Sequence, residues 1–211
     1  MSISKGIFSA ESSFEDRYIT DYAQLQELAA HWKALGLTIV LTSGSWDMIH
    51  EGHALYLETA RSYGDLLVVG VDSDEKIKHR KGPDRPIVPQ DERLRMLTHL
   101  RAVDVVFLKK HDDPKWALIK AIRPDVLVAT RETYTAEEID ELERLYCKKV
   151  LVHNPMAVTS TSARLRLVQI GLASKLSAQL AKKLPGMIQS IITGTVDPDK
   201  STEQQSSWQK K

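Results

Sequence analysis

Apolar residues in this chain fall into two alternating rhythms. Leu25, Leu28, Ala29, Trp32 and Leu35 recur at helical spacing from Asp21 until Gly36 stops them. Thr38 to Thr42 (TIVLT) is then a short continuous apolar run, rich in β-branched residues and closed by Ser43-Gly44, which predicts a buried strand. The exchange repeats along the chain. It predicts a helix from Glu51 to Tyr63, a strand over Asp65 to Val71, a basic proline-rich loop from Lys76 to Pro89 and a helix from Gln90 to Leu100. Beyond these come a strand over Val103 to Leu108, a helix over Pro114 to Ile122, a strand over Val126 to Ala129, a helix over Ala136 to Tyr146 and a strand over Lys149 to His153. Strands and helices in strict turn predict an α/β fold, a Rossmann-like parallel sheet with helices on both faces.

The two ends read differently. Residues 1–20 show no sustained period and are expected to be an irregular lead-in. After Asn154-Pro155, Ser160 to Leu172 looks helical, and an amphipathic stretch from Lys175 to Ile192 is interrupted by Pro185-Gly186. The expected division is a main domain over 21–172, a C-terminal helical extension over 173–196 and a disordered tail over 197–211, which has no aliphatic side chain.

With 211 residues, 29 Lys plus Arg and 28 Asp plus Glu, the net charge of +1 argues against a chain built to grip nucleic acid or an anionic membrane. The single cysteine, Cys147, excludes an intramolecular disulfide and fits a reducing cytoplasm. No apolar run approaches the roughly 18–20 residues that span a bilayer, and the polar N-terminus does not read as a secretory signal.

Candidate chemistry concentrates in TSGSWDMIHEGH, Thr42 to His53, where the first strand gives way to a helix. Ligands of open parallel sheets collect at the carboxyl ends of strands, and a helix N-terminus there offers unpaired N–H groups to anions. His50 and His53, three residues apart, share one side of the first helical turn, and Gly52 leaves room for a ligand to approach the backbone. Ser43, Gly44 and Ser45 add small donors and space, so the segment reads as a phosphate cradle. Metal ligation by the two histidines is the competing reading, but no local third or fourth ligand completes a zinc set.

The segment resembles the nucleotidyltransferases of the cytidylyltransferase-like superfamily, whose signature is His-x-Gly-His after a small-residue turn and an Asp. TSGSWDMIHEGHALYLETAR, GDLLVVGVDSDEKIKHRKGPDRPIVPQDER, LRAVDVV and RPDVLV carry the likeness, which is strongest to the branch that activates heptose 1-phosphate. The resemblance implies transfer of a nucleoside monophosphate from ATP, or alternatively CTP, to a phosphorylated small molecule such as a sugar 1-phosphate, with magnesium as cofactor and a homodimer as the working form. It implies His50, His53 and Lys81 as catalytic groups, with Trp46, Arg93, Ser160, Thr161 and Ser162 joining Ser43, Gly44, Ser45 and Gly52 around the nucleotide. Arg80, Arg85, Arg101 and Arg131 are the expected acceptor contacts, with Arg93 and Arg101 placed eight apart on one helix. Each arginine has a plainer alternative as a solvated surface charge, and the hydroxyls of VTSTSARLR as helix caps. Asp47 is expected to hold the turn rather than a magnesium ion.

The chain departs from that pattern at Ser43 and Trp46, where Asn and Phe are usual, and at TRETY (Thr130 to Tyr134), where a Gly-rich stretch is common. A CDP-alcohol-forming cytidylyltransferase and a nucleotide-binding regulator without turnover are the alternative functions. The branch often carries a sugar kinase domain, for which these 211 residues leave no room, so the expected acceptor arrives already phosphorylated.

Overall fold

A computed structural model describes residues 6–9, 11–154 and 161–193. Two compact units divide the chain, residues 1–158 and 159–211. The first is a six-stranded, wholly parallel sheet in the order β1-β4-β3-β2-β5-β6. Its strands are β1 (Tyr18–Ile19), β2 (Ile39–Gly44), β3 (Leu66–Asp72), β4 (Val105–Lys109), β5 (Val126–Thr130) and β6 (Lys149–His153). Seven helices join them: α1 (Phe14–Arg17), α2 (Tyr22–Ala34), α3 (Glu51–Arg61), α4 (Asp74–Lys81), α5 (Gln90–Thr98), α6 (Ala117–Ile122) and α7 (Ala136–Leu145).

Both faces of the sheet are covered because successive side chains of a strand point to opposite sides. Leu66 and Val68 of β3 join Leu25 and Trp32 of α2, Leu118 of α6 and Leu142 of α7 in one core. Leu67, Val69 and Val71 of the same strand join Leu57 of α3 and Leu94 and Leu97 of α5 in the other. This two-sided burial is why the strands read as continuous apolar runs rather than as alternation. Starts of the strands are pinned by aspartates: Asp65, Asp104 and Asp125 accept the backbone N–H groups of Thr38, Leu67 and Ile39 at 2.7–2.8 Å.

The chain runs from β2 outward to β3 and β4, then returns to the other side of β2 for β5 and β6. The strand order reverses direction at β2, and the candidate site lies at the carboxyl end of that strand, where ligands of open parallel sheets collect.

Three expectations need correcting. Within the supposed irregular lead-in, α1 is capped by Ser13, and β1 pairs with β4, Tyr18 opposite Val106. These elements of four and two residues are too short to show a period. The expected loop after β3 begins as a helix: α4 is capped by the Ser73 hydroxyl, which accepts the Lys76 N–H, and is ended by Gly82 at φ 96°. Only Ile77 of α4 is buried, so no hydrophobic stripe announces it. In the second unit, α8 (Thr161–Ile192) continues through Pro185 instead of breaking there. Proline removes one donor from the ladder, and the turns on either side keep the helical path.

Gly64, between α3 and β3, is a packing constraint. A Cβ there would meet the Thr38 carbonyl oxygen and Val40 Cγ2, each at 2.7 Å. Gly64→Ala is expected to destabilise the protein by about 1–3 kcal/mol through overpacking, read as a lower urea midpoint at unchanged slope.

Candidate active site

The turn from β2 to α3 is tightly held. Trp46 and Met48 both adopt φ of 52°, a left-handed conformation that costs a non-glycine residue about 1–2 kcal/mol. Such strain persists where surrounding contacts over-determine the backbone. The Trp46 indole N–H donates to the Gly70 carbonyl at 3.0 Å, and its buried ring meets His53 edge-on at 5.6 Å. Gly44 makes room for it, since a Cβ there would lie 3.2 Å from the indole. Between the two strained residues, the Asp47 carboxylate accepts the N–H groups of Ile87 and Val88 at 3.0–3.1 Å and pairs with Arg85 at 2.6 Å. Burial alone would raise its pKa, but those two backbone donors and the Arg85 guanidinium outweigh it and hold the carboxyl below its ordinary value. One aspartate thus ties the 85–88 loop to the turn.

His50 is the N-cap of α3, in extended conformation, and its Nδ1 accepts the Gly52 N–H at 3.1 Å. His53 Nδ1 in turn accepts the His50 N–H at 3.3 Å. The two imidazoles therefore do for this helix what Ser/Thr and Glu do in an ordinary capping box, and their rings stack at 4.0 Å. With both Nδ1 atoms occupied as acceptors, each neutral ring carries its proton on Nε2. The pair becomes two N–H donors, backed by the positive end of a helix. Desolvation, then the charges of His50 and Lys81, lower the His53 pKa to about 4, so this ring is neutral near pH 7.

Cations approach from α4 and the loop after it. Lys81, the last residue of α4, has its pKa lowered by desolvation and by the neighbouring Arg80 and Arg85 guanidiniums. Arg80 donates to the Ser45 hydroxyl at 2.7 Å and to Asp72, at the end of β3, at 3.0 Å. Lys109, at the end of β4, reaches Asp72 at 3.4 Å.

The chain matches the cytidylyltransferase-like family over residues 41–207. It belongs to that family. Among similar proteins, the bifunctional protein HldE of Aliarcobacter butzleri (strain RM4018) is 42% identical over 120 residues, covering 57% of this chain and 25% of that protein. Its counterpart in Wolinella succinogenes is 34% identical over 167 residues, covering 79% of this chain and 34% of that protein. The chain thus spans a quarter to a third of the length of these curated relatives. A solved lipopolysaccharide core biosynthesis protein from Thermoplasma volcanium GSS1 is 28% identical, with a TM-score of 0.49 over 56% of this chain and 98% of that one.

The structure of this family member brings Ser43, Gly44, Ser45, Trp46, His50, Gly52, His53, Arg80, Lys81 and Arg85 to the β2–α3 turn or the elements facing it. Two arginines sit differently from expectation. The Arg93 side chain is fully buried, donating to the carbonyls of Val88, Ser45 and Asp72 and to Asp74. It is a brace beneath the turn, with its donors turned to protein rather than to a ligand. Arg101 is not on α5, which stops at Thr98, and precedes β4 at the amino end of the sheet, away from the site. Arg131 directly follows β5 and is exposed at the carboxyl end. Thr161 and Ser162 open the backbone of α8, and Ser160 lies outside the described residues. Asp72 and Lys109 escaped the sequence reading. Their one signal is position, as charged last residues of strands whose earlier residues are apolar. No cluster of three or more metal-ligating side chains occurs among the described residues.

Free protein should show a His53 imidazole titrating near pH 4 by NMR, moving upward when a triphosphate is added, because an anion favours the imidazolium. The folded pKa lies below the ordinary 6.5, so the stability from keeping His53 neutral is present above pH 6.5 and is lost as the pH falls towards 4. His53→Asn should flatten that part of the stability–pH curve.

Proposed function

We propose that the chain is a nucleotidyltransferase that moves the nucleoside monophosphate of a triphosphate, ATP in preference to CTP, onto a phosphorylated small molecule such as a sugar 1-phosphate. The observation that carries this reading is the histidine pair at the N-cap of α3, whose Nδ1 atoms are both held by backbone N–H groups. Likeness to the branch acting on heptose 1-phosphate supports the sugar phosphate and ATP.

The acceptor's phosphate oxygen attacks the α-phosphorus, a new P–O bond forms, and the bond to the bridging oxygen breaks with release of pyrophosphate. A phosphate monoester is already ionised near neutral pH, so the step needs no general base. The difficulty is to bring two anions together and to spread charge over the α-phosphate oxygens. The Nε2–H donors of His50 and His53, the N-terminus of α3 and the Lys81 ammonium supply that stabilisation from fixed positions. A lowered His53 pKa helps here, because a neutral ring keeps Nδ1 as the acceptor of the His50 N–H while Nε2–H stays available as a donor.

Magnesium fits this site as the triphosphate's own counter-ion. The nearby carboxylates are engaged, Asp47 by backbone N–H groups and Arg85, Asp72 by Arg80 and Lys109. An ion bound mainly by phosphate oxygens and water suits the way magnesium usually enters such reactions. The proposed working form is a cytoplasmic homodimer acting on small molecules, with neither nucleic acid nor membrane as partner. No described helix is long and apolar enough to cross a membrane.

Pyrophosphate release with ATP and CTP, each against a panel of sugar 1-phosphates and alcohol phosphates, tests the reading. Turnover is expected with ATP and a sugar 1-phosphate. Turnover only with CTP and an alcohol phosphate would transfer the assignment to CDP-alcohol synthesis, and nucleotide binding without any turnover would make the protein a regulator. His50→Asn keeps an N-cap acceptor but removes the Nε2 donor, so kcat should fall about 10²–10³-fold with the thermal midpoint nearly unchanged. Lys81→Ala should lower kcat/KM for the triphosphate by a similar factor.

A further inference from the structure

The carboxyl ends of β3 and β4 carry a group of charges that the histidine seat does not use. Asp72 ends β3 with its side chain 3% exposed, and it receives both Arg80 at 3.0 Å and Lys109 at 3.4 Å. One carboxylate facing two cations leaves a net positive charge, with Asp72 buried, Lys109 mostly covered and Arg80 half-exposed. Lys109 does not extend into solvent, as most lysines do. Its stem lies across β3 above Gly70, where an added Cβ would come within 2.8 Å of Lys109 Cδ and 2.5 Å of Ser43 Oγ. The absent side chain at residue 70 is thus the passage by which Lys109 approaches the β2 turn.

That placement is costly. Desolvation disfavours the charged amine, Asp72 opposes this, and the like charges of Lys76 and Arg80 add to it. Arg80 also bonds Ser45 Oγ, so the Asp72 cluster joins the β2 turn, the end of β3 and the end of β4. Asp72 acts electrostatically on Lys81, and Lys81 on His53, which places the cluster beside the seat rather than apart from it. It occupies the flank of β2 away from β5 and Arg131. A dianion arriving there would match the surplus charge.

We propose that Lys109, held with Arg80 on Asp72, binds the phosphate group of the acceptor on the β3–β4 flank, leaving the histidine pair and Lys81 to the triphosphate. The proposal rests on the nucleotidyltransferase reading and adds the recognition element for its second substrate, a phosphomonoester dianion. Lys109 then serves as a binding residue for the nucleophile, and Asp72 as the positioning residue that keeps the two cations converging.

Calorimetric titration separates the two substrates. The protein and its Lys109→Met and Lys109→Arg variants are titrated with magnesium α,β-methylene-ATP. The loaded proteins are then titrated with inorganic phosphate, mannose 1-phosphate and heptose 1-phosphate. Expected are analogue affinities within twofold in all three proteins, a tenfold or greater loss of phosphate and sugar-phosphate affinity in Lys109→Met, and partial recovery in Lys109→Arg. The proposal is overturned if Lys109→Met loses analogue binding, alone or together with phosphate binding, or if it binds everything as the wild type does. It is overturned too if the loaded wild type binds none of the phosphate probes. Wild-type protein that fails to bind the analogue at all would instead sink the nucleotidyltransferase reading itself.

Discussion

A helix that begins at the end of a buried parallel strand leaves its first N–H groups without partners in the helix. Here the sequence answers with imidazoles. His50 and His53 satisfy two of those backbone donors through Nδ1, and in doing so fix which of their own nitrogens carries the proton. Capping and proton placement become one arrangement, since the interaction that caps the start of α3 also leaves the ring protons on Nε2. The rest of the site supports that arrangement. Trp46 braces the turn from Gly70, Asp47 ties it to the 85–88 loop, and Arg93 gathers three carbonyls and Asp74 beneath it.

These supports explain why a strained turn survives. Two left-handed non-glycine residues in succession around Asp47 would relax in an isolated peptide. In the folded chain the turn is held from two places: the indole of Trp46 is buried and hydrogen-bonded, and Asp47, between the two strained residues, has three anchoring contacts. The strain is held by the core on the α3 and α5 face, where Leu57, Val69, Val71 and Leu94 are essentially unexposed. Rigidity of this kind suits a reaction whose demand is the placement of charge around a phosphorus atom.

Much of this was legible in the chain, and the misses share a cause. Leu66 to Val71 announced a strand because both of its sides are covered, and His50, Gly52 and His53 announced the first turn of α3, where their spacing puts both rings on one side. The α4 helix was missed because its run of Lys, His and Arg buries only Ile77, leaving the Ser73 cap and Gly82 as its marks. Arg93 was expected at the nucleotide, yet it is fully buried and bound to protein, because sequence does not show where backbone carbonyls will converge. Arg101 was assigned to a helix that ends three residues before it. Asp72 and Lys109 come together only through the pairing of β3 with β4, a contact between strands 37 residues apart that spacing within one element cannot reveal.

Both Nδ1 atoms are spent on the backbone, and the proposed function needs Nε2–H on both rings for the phosphates. A long-range ¹H–¹⁵N correlation spectrum of uniformly ¹⁵N-labelled protein at pH 7, with His50 and His53 assigned by single substitution, reads the tautomer of each ring directly. Nε2–H tautomers are expected for both in the free protein, with their Nε2 resonances shifting when magnesium ATP is added. Nδ1–H tautomers, or Nε2 resonances indifferent to the nucleotide, would contradict it.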